Sequence, residues 1–302
     1  MAWASVLAGW RYGGLLSRES IEGRAMAIFD NHFHLRPTGL GIEAAKQFER
    51  AGGTALMLTH SPYDDIPIRR AEDYEAAYAR TLAMARQVRE ATQVNVFVAL
   101  GPYPVDLLPL RESLGIDGAT DVLRRGIDLA ARHVQEHEAV ALGEVGRPHF
   151  PVEGDVRQAS NEVLQYAMGA ARECGCAVIL HTEDPTPETF AEFAAMADRA
   201  GLPRERVVKH HSTPLTRQED NLGVVPSILA KEDLVLEALK GGTGFLLETD
   251  YIDDPRRPGA VLGPATVPRK TKAWIEKGIL TDRVAAMIHQ ELPERTYGLR
   301  IG

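Results

Sequence analysis

The chain has 302 residues, 44% of them hydrophobic and 25% charged, an ordinary globular composition with enough length for one large α/β barrel or two smaller domains. Its formal charge of −8 disfavours a broad electrostatic grip on nucleic acid or anionic membrane, though not a local basic pocket, and no apolar run approaches the ~20 residues that span a bilayer. The two cysteines, Cys174 and Cys176, stand too close along an extended segment for a normal disulfide and have no second Cys or His pair nearby, so they read as small buried hydrophobes in a reduced, cytoplasmic protein.

Residues 1–25 carry no motif, and Arg11, Arg18 and Glu19 stand where a secretion signal would want its cleavage region. They read as an extension before a single domain over 26–302, with Met26 an alternative start. The first strand signal is the apolar run Ala27-Ile28-Phe29, which leads into DNHFH, Asp30 to His34. In an extended strand residues two apart share a face, so His32 and His34 aim two imidazoles at one point.

Short apolar, β-branched runs then mark strands near 54 to 60, 94 to 100, 139 to 144, 177 to 181, 206 to 210, 223 to 229 and 244 to 249, which with 27 to 33 makes eight. Pro226 suits a central seventh strand poorly. Helical periodicity occupies Ala71 to Ala91, Asp121 to Glu138, Gln158 to Glu173 and Pro187 to Ala200, and glycines such as Gly175 and Gly201 supply stop signals. No Pro/Gly/Ser-rich linker interrupts the alternation. Eight strand-helix units point to a (β/α)8 TIM barrel, whose active site lies at the C-terminal ends of the strands. At those ends stand His32 and His34, then Glu144, His181, His210 and Asp250. Independent core histidines and acids have no reason to repeat that position.

The ordered set DNHFH at 30 to 34, GEVG at 143 to 146, ILH at 179 to 181, KHHS at 209 to 212, LETD at 247 to 250 and the tail ELPERTYGL at 291 to 299 resembles the TatD-like metal-dependent hydrolases of the amidohydrolase superfamily. The resemblance covers nearly everything from Met26 onward. It implies that His32 and His34 hold one metal with Asp250, that His181 and His210 hold a second, and that Glu144 bridges them and shares in catalysis. Imidazole and carboxylate ligands suit divalent ions, Zn2+ first, with Mn2+, Fe2+ or Mg2+ as alternatives. Such a pair activates a bridging hydroxide, and Asp250 is the expected catalytic base. Between His210 and His211, strand parity favours His210: it shares a face with Val208, whereas choosing His211 turns Lys209 inward beside two cations.

After the glutamate this chain reads GRPHF, where better known TatD nucleases continue Gly-Leu-Asp, and after His181 it reads TED rather than presenting an arginine. It looks closer to a less characterised, largely archaeal branch. Substrate-binding candidates are Arg147 and His149 after the bridging glutamate, and Arg256 and Arg257 in the segment that follows strand eight and should cover the site's mouth. Arg269, Lys270 and Lys272 follow in the same segment. His60 ends strand two but belongs to no motif, while His133 and His137 read as a solvated helix face. The expected activity is hydrolysis of a phosphoester in a small anionic substrate or a nucleic-acid end, with no membrane and no protein partner required. Amide or lactone hydrolysis, and a non-catalytic metal-binding scaffold, remain the alternatives.

Overall fold

The computed structural model describes residues 26–257 and 262–301; the extension read over residues 1–25 lies outside them. Strands and helices alternate as β1 (Phe29–Phe33), α1 (Ile42–Arg50), β2 (Ala55–Thr59), α2 (Asp73–Ala91), β3 (Asn95–Leu100), α3 (Leu107–Gln135), β4 (Ala141–Gly146), α4 (Gly154–Cys174), β5 (Ala177–His181), α5 (Pro187–Ala200), β6 (Val207–Lys209), α6 (Gln218–Asn221), β7 (Val225–Leu229), α7 (Glu232–Gly241), β8 (Leu246–Glu248), α8 (Thr266–Glu276), α9 (Asp282–Ala286) and α10 (Leu292–Tyr297). The strands pair in sequence order, all in parallel. β8 meets β1 through the bridge of Phe33 with Tyr251 and a 2.8 Å bond from the His34 N–H to the Tyr251 carbonyl. The result is a nearly closed (β/α)8 TIM barrel.

Side-chain alternation separates two cores. Phe29, Met57, Ala99, Ala141, Ile179, Val208 and Leu246 fill the barrel interior, and Leu292, Tyr297 and Ile301 pack against them at the end where the strands begin. The small alanines leave room for the large rings of Phe29 and Tyr297, which meet edge to face. The alternate residues, among them Leu58, Val98, Leu142, Val145 and Leu180, bury outward against the helices. Burying each such side chain contributes ~1.5–3 kcal/mol, so the barrel wall is fixed from both sides.

Two helix readings are corrected in detail. The helix read over 121 to 138 begins at Leu107, because the break at Gly115 (φ 74°) kinks it without ending it. His137 (φ 61°) falls beyond that helix, so it does not share a helical face with His133, whose Nδ1 instead lies 2.7 Å from Glu138. Pro226 is accommodated at the second residue of β7, opposite Lys209 of the three-residue β6. Both cysteines are free, with Cys176 buried. No helix among the described residues is long and apolar enough to cross a membrane.

Candidate metal centre

Six side chains converge at the C-terminal mouth of the barrel. β1 is irregular between Asp30 and Phe33, and the buried Asp30 carboxyl anchors it, accepting from the Thr249 N–H (3.0 Å), the Thr249 hydroxyl (2.8 Å) and the His32 N–H (3.3 Å). Burial pushes this carboxyl up to about 8. With the strand so held, the Nε2 atoms of His32 and His34 come within 3.1 Å of each other. His34 Nδ1 lies 2.9 Å from the Thr59 carbonyl; a carbonyl only accepts, so Nδ1 carries the proton and Nε2 offers its lone pair to the centre.

A second pair forms from β5 and β6, with His181 Nδ1 and His210 Nε2 also 3.1 Å apart. Glu144 Oε1 stands between the pairs, 3.2 Å from His32, 3.1 Å from His181 and 2.7 Å from His210. Asp250 completes the set, with Oδ1 3.7 Å from His34 Nε2 and Oδ2 3.2 Å from His211 Nδ1. Neighbouring nitrogens on a tetrahedral zinc ion with bonds of about 2.0–2.1 Å lie about 3.3 Å apart. Both histidine pairs already hold that spacing around one carboxylate oxygen, so the donors present fit divalent cations.

Electrostatics agree. Burial would raise Glu144, but the His181 and His210 imidazoles outweigh it and hold the carboxyl well below the usual range. Asp250 is likewise depressed against its burial, by its hydrogen bond to His211 and by His210, His32 and His34. Burial and the neighbouring His32 lower His34 to about 4. His210 is pulled the other way: against its burial, Glu144 and Glu248 push it up to about 10.

Glu248 is a member that sequence reasoning missed. Fully buried at the end of β8, it accepts from the His211 N–H (2.7 Å) and the Ser227 hydroxyl, and approaches His210 Nδ1 to 3.5 Å. Its ligating oxygen lies within 4.8 Å of ring nitrogens of both His32 and His210, whose rings stack at 4.0 Å. From Glu248 a buried chain of hydrogen bonds continues through Ser227 and Asn31 to the Tyr297 hydroxyl of α10. Its sequence signal was position: Glu248 is the last residue of β8, two residues before Asp250.

Above the ligands lies a cavity of about 590 Å³, walled in part by Arg36, Tyr103, His149, His211 and Arg257. A shallower depression of about 750 Å³ between α3, α4 and α5 is lined by Arg124, Arg157, Tyr166 and Arg199 instead. Of the substrate-binding candidates, His149 and Arg257 reach the site cavity. His149 Nδ1 also faces His181 Nε2 at 3.0 Å, which fixes the His181 ring when Nδ1 serves as a ligand. Arg147 does not line the cavity. Glu144 points into the barrel, so alternation turns Arg147 outward, where its side chain is 2% exposed, pairs with Glu192 (2.9 Å) and Glu183 (3.6 Å) and lies over the Phe193 ring. Arg256 is exposed and engaged by Asp254 (2.9 Å) and Asp64 (2.7 Å). Lys272 is spent on the Ala51 carbonyl (2.7 Å). His60 is buried beside Thr81 (2.9 Å), and His211 is half exposed next to Asp250.

The TatD related DNase family model matches residues 29–298 of this chain. The chain belongs to the TatD family. It is 38% identical over 282 residues to an uncharacterized protein of Methanocaldococcus jannaschii, an alignment covering 91% of this chain and 97% of that one. Among solved structures, a TatD homolog from Escherichia coli superposes with a TM-score of 0.63 at 20% identity, covering 90% of this chain and 98% of that one. The phosphotriesterase homology protein of E. coli gives 0.58 at 14% identity, covering 90% and 99%. Structural likeness at such identities carries the fold alone. Family membership and the ligand cluster together make this TatD protein a metal-dependent hydrolase.

Proposed function

We propose that this TatD protein is a phosphoester hydrolase with a dinuclear centre, acting on a small anionic substrate or a nucleic-acid end. The observation that carries this reading is the pair of histidine couples, each at 3.1 Å, sharing one Glu144 oxygen. His32, His34 and Asp250 would hold one cation, His181 and His210 the second, and Glu144 both, with Zn2+ first and Mn2+, Fe2+ or Mg2+ as alternatives. Bound there, the cations would supply a water nucleophile activated near neutral pH and polarise the scissile group.

The chain's own groups do the rest. Asp250 is ionised, so it can accept a proton from the attacking water and return it to the leaving oxygen. His149 holds His181 in orientation, and the Glu248 carboxylate stands 3.5 Å behind His210 Nδ1. The cavity above, with Tyr103 edge-on to His181 at 5.0 Å, gives the substrate an aromatic wall beside the reacting group. The phosphotriesterase homology protein, of the same fold, was solved with phosphate in its active site, which supports phosphorus as the electrophile here. A panel of phosphodiester, phosphomonoester, amide and lactone substrates tests this. Hydrolysis of phosphoesters, abolished in His181→Ala with the fold retained, is expected; turnover confined to the carbonyl compounds rejects it.

A further inference from the structure

The loop after His34 is held by a single buried carboxylate. Asp253 accepts from the backbone N–H groups of Arg36 (3.1 Å), Leu40 (2.6 Å) and Gly41 (2.7 Å) and from the Tyr251 hydroxyl (2.9 Å). Gly39 is required in this wrap, since a Cβ there would lie 2.2 Å from Asp253 Oδ1. The loop is thereby tied to the segment that follows β8, and Arg36 lines the wall of the cavity.

The Arg36 guanidinium has few partners. Its side chain is 14% exposed, its Nη1 stands 3.8 Å from Asp64 and 3.9 Å from Asp254, beyond hydrogen-bond distance, and its Nε is buried without an acceptor. Both acids are already engaged more closely by Arg256, at 2.7 and 2.9 Å. A guanidinium carries five N–H donors in a planar fork suited to oxyanions, and leaving buried donors unmade is costly. Arg257, on the loop that follows β8, lines the same cavity. β1 and β8 are neighbours in the barrel, so the two arginines share one side of the site. The β3 to β5 side presents Tyr103, His149 and Thr182 instead. The two arginines thus face the cavity from one side, together with Asp64 and Asp250, and Tyr103 and His149 face it from the other.

We infer that Arg36 and Arg257 form a subsite for a second anionic group of the substrate, a carboxylate or phosphate oxyanion separate from the group that is cleaved. The inference rests on the phosphoester reading only for the identity of the cleaved group. An oxyanion placed there takes the Arg36 Nη donors, whose nearest acids stand at 3.8 and 3.9 Å, which a substrate with a single anion at the metals does not do.

The test is calorimetric binding of defined probes to the metal-loaded protein. Methylphosphonate is compared with 3-phosphonopropionate and ethylene-bisphosphonate, and propionate with succinate. The two-anion probes are expected to bind at least tenfold more tightly than their one-anion counterparts. Arg36→Gln and Arg257→Gln should each remove most of that gain while leaving one-anion affinities within twofold, and Arg36→Lys should restore part of it. The larger gain between the carboxylate and phosphonate arms assigns the second group. Arg257 is exposed, so its variant decides the matter even where Arg36→Gln loses the fold. No advantage for two-anion probes in either series, or an equal weakening of one- and two-anion probes by both glutamine variants, overturns the subsite. Absent phosphonate binding with succinate still favoured through Arg36 keeps the subsite and removes the phosphoester reading instead.

Discussion

Replacing Glu248 by Gln removes a charge from beside two of the metal-site histidines while changing almost nothing in size. The carboxylate is ionised in the fold: burial works against it, but His210 and His32 lower it below its ordinary value. The amide oxygen can keep the 2.7 Å bond from the His211 N–H, and the amide nitrogen can turn to the Ser227 oxygen. Hydrogen bonds to a charged group contribute about 1.5–3 kcal/mol and neutral ones about 0.5–1.5. Two bonds losing their charge assistance therefore cost about 2 kcal/mol, reduced by the relief of no longer burying a carboxylate. The larger consequence falls on His210, whose Nδ1 has the Glu248 carboxylate 3.5 Å away. Removing such a carboxylate from behind a ligating histidine lowers metal affinity by about 10- to 100-fold. Competition with a chromophoric chelator measures this directly, with circular dichroism reporting the fold. Affinity unchanged within twofold in Glu248→Gln refutes the orienting role.

Gly146→Ala tests how closely β4 and β5 must approach. At φ 143°, a Cβ on Gly146 would lie 2.3 Å from the His181 carbonyl oxygen, which already accepts the Arg147 N–H at 2.9 Å. The strands must part, so a stability loss of about 1–3 kcal/mol and a fall in bound metal are expected; unchanged melting and metal content would contradict the packing. His289 tests the far end of the barrel by pH. Its Nδ1 lies 3.0 Å from the Phe29 carbonyl oxygen and 3.2 Å from the Phe29 N, its Nε2 lies 2.9 Å from the Thr271 hydroxyl, and burial lowers it to about 4. The folded value lies below the unfolded ~6.5, so its stabilisation is complete above that pH and declines as pH falls towards 4, by at most ~3 kcal/mol. In urea titrations the stability gap between the parent and His289→Leu should narrow over that window, and a gap independent of pH would refute it.

Much of this was legible because barrel strands announce themselves twice, by β-branched runs and by polar groups at their trailing ends. Parity, in agreement with the family pattern, favours His210 over His211; in the fold Val208 packs inside the barrel and His210 Nε2 lies 2.7 Å from Glu144. The same alternation turns Arg147 away from the cavity, where it is buried and pairs with the half-exposed Glu192 on α5, and proximity in sequence to Glu144 outweighed it. Other features have no local signature. The reach of Arg36 depends on Asp253, 217 residues away, and the support of His210 by Glu248 depends on how β6 and β8 flank β7. Composition and periodicity encode neither. The periodicity read from Asp121 onward also left out the first part of α3, which begins at Leu107 and kinks at Gly115.

The central claim is that Glu144 joins two cation positions, and metal content by plasma mass spectrometry of the parent and Glu144→Ala tests it most directly. Two ions per chain in the parent, falling sharply in the variant, are the expected result. One ion per chain in the parent, or two that persist without the Glu144 carboxylate, would contradict it.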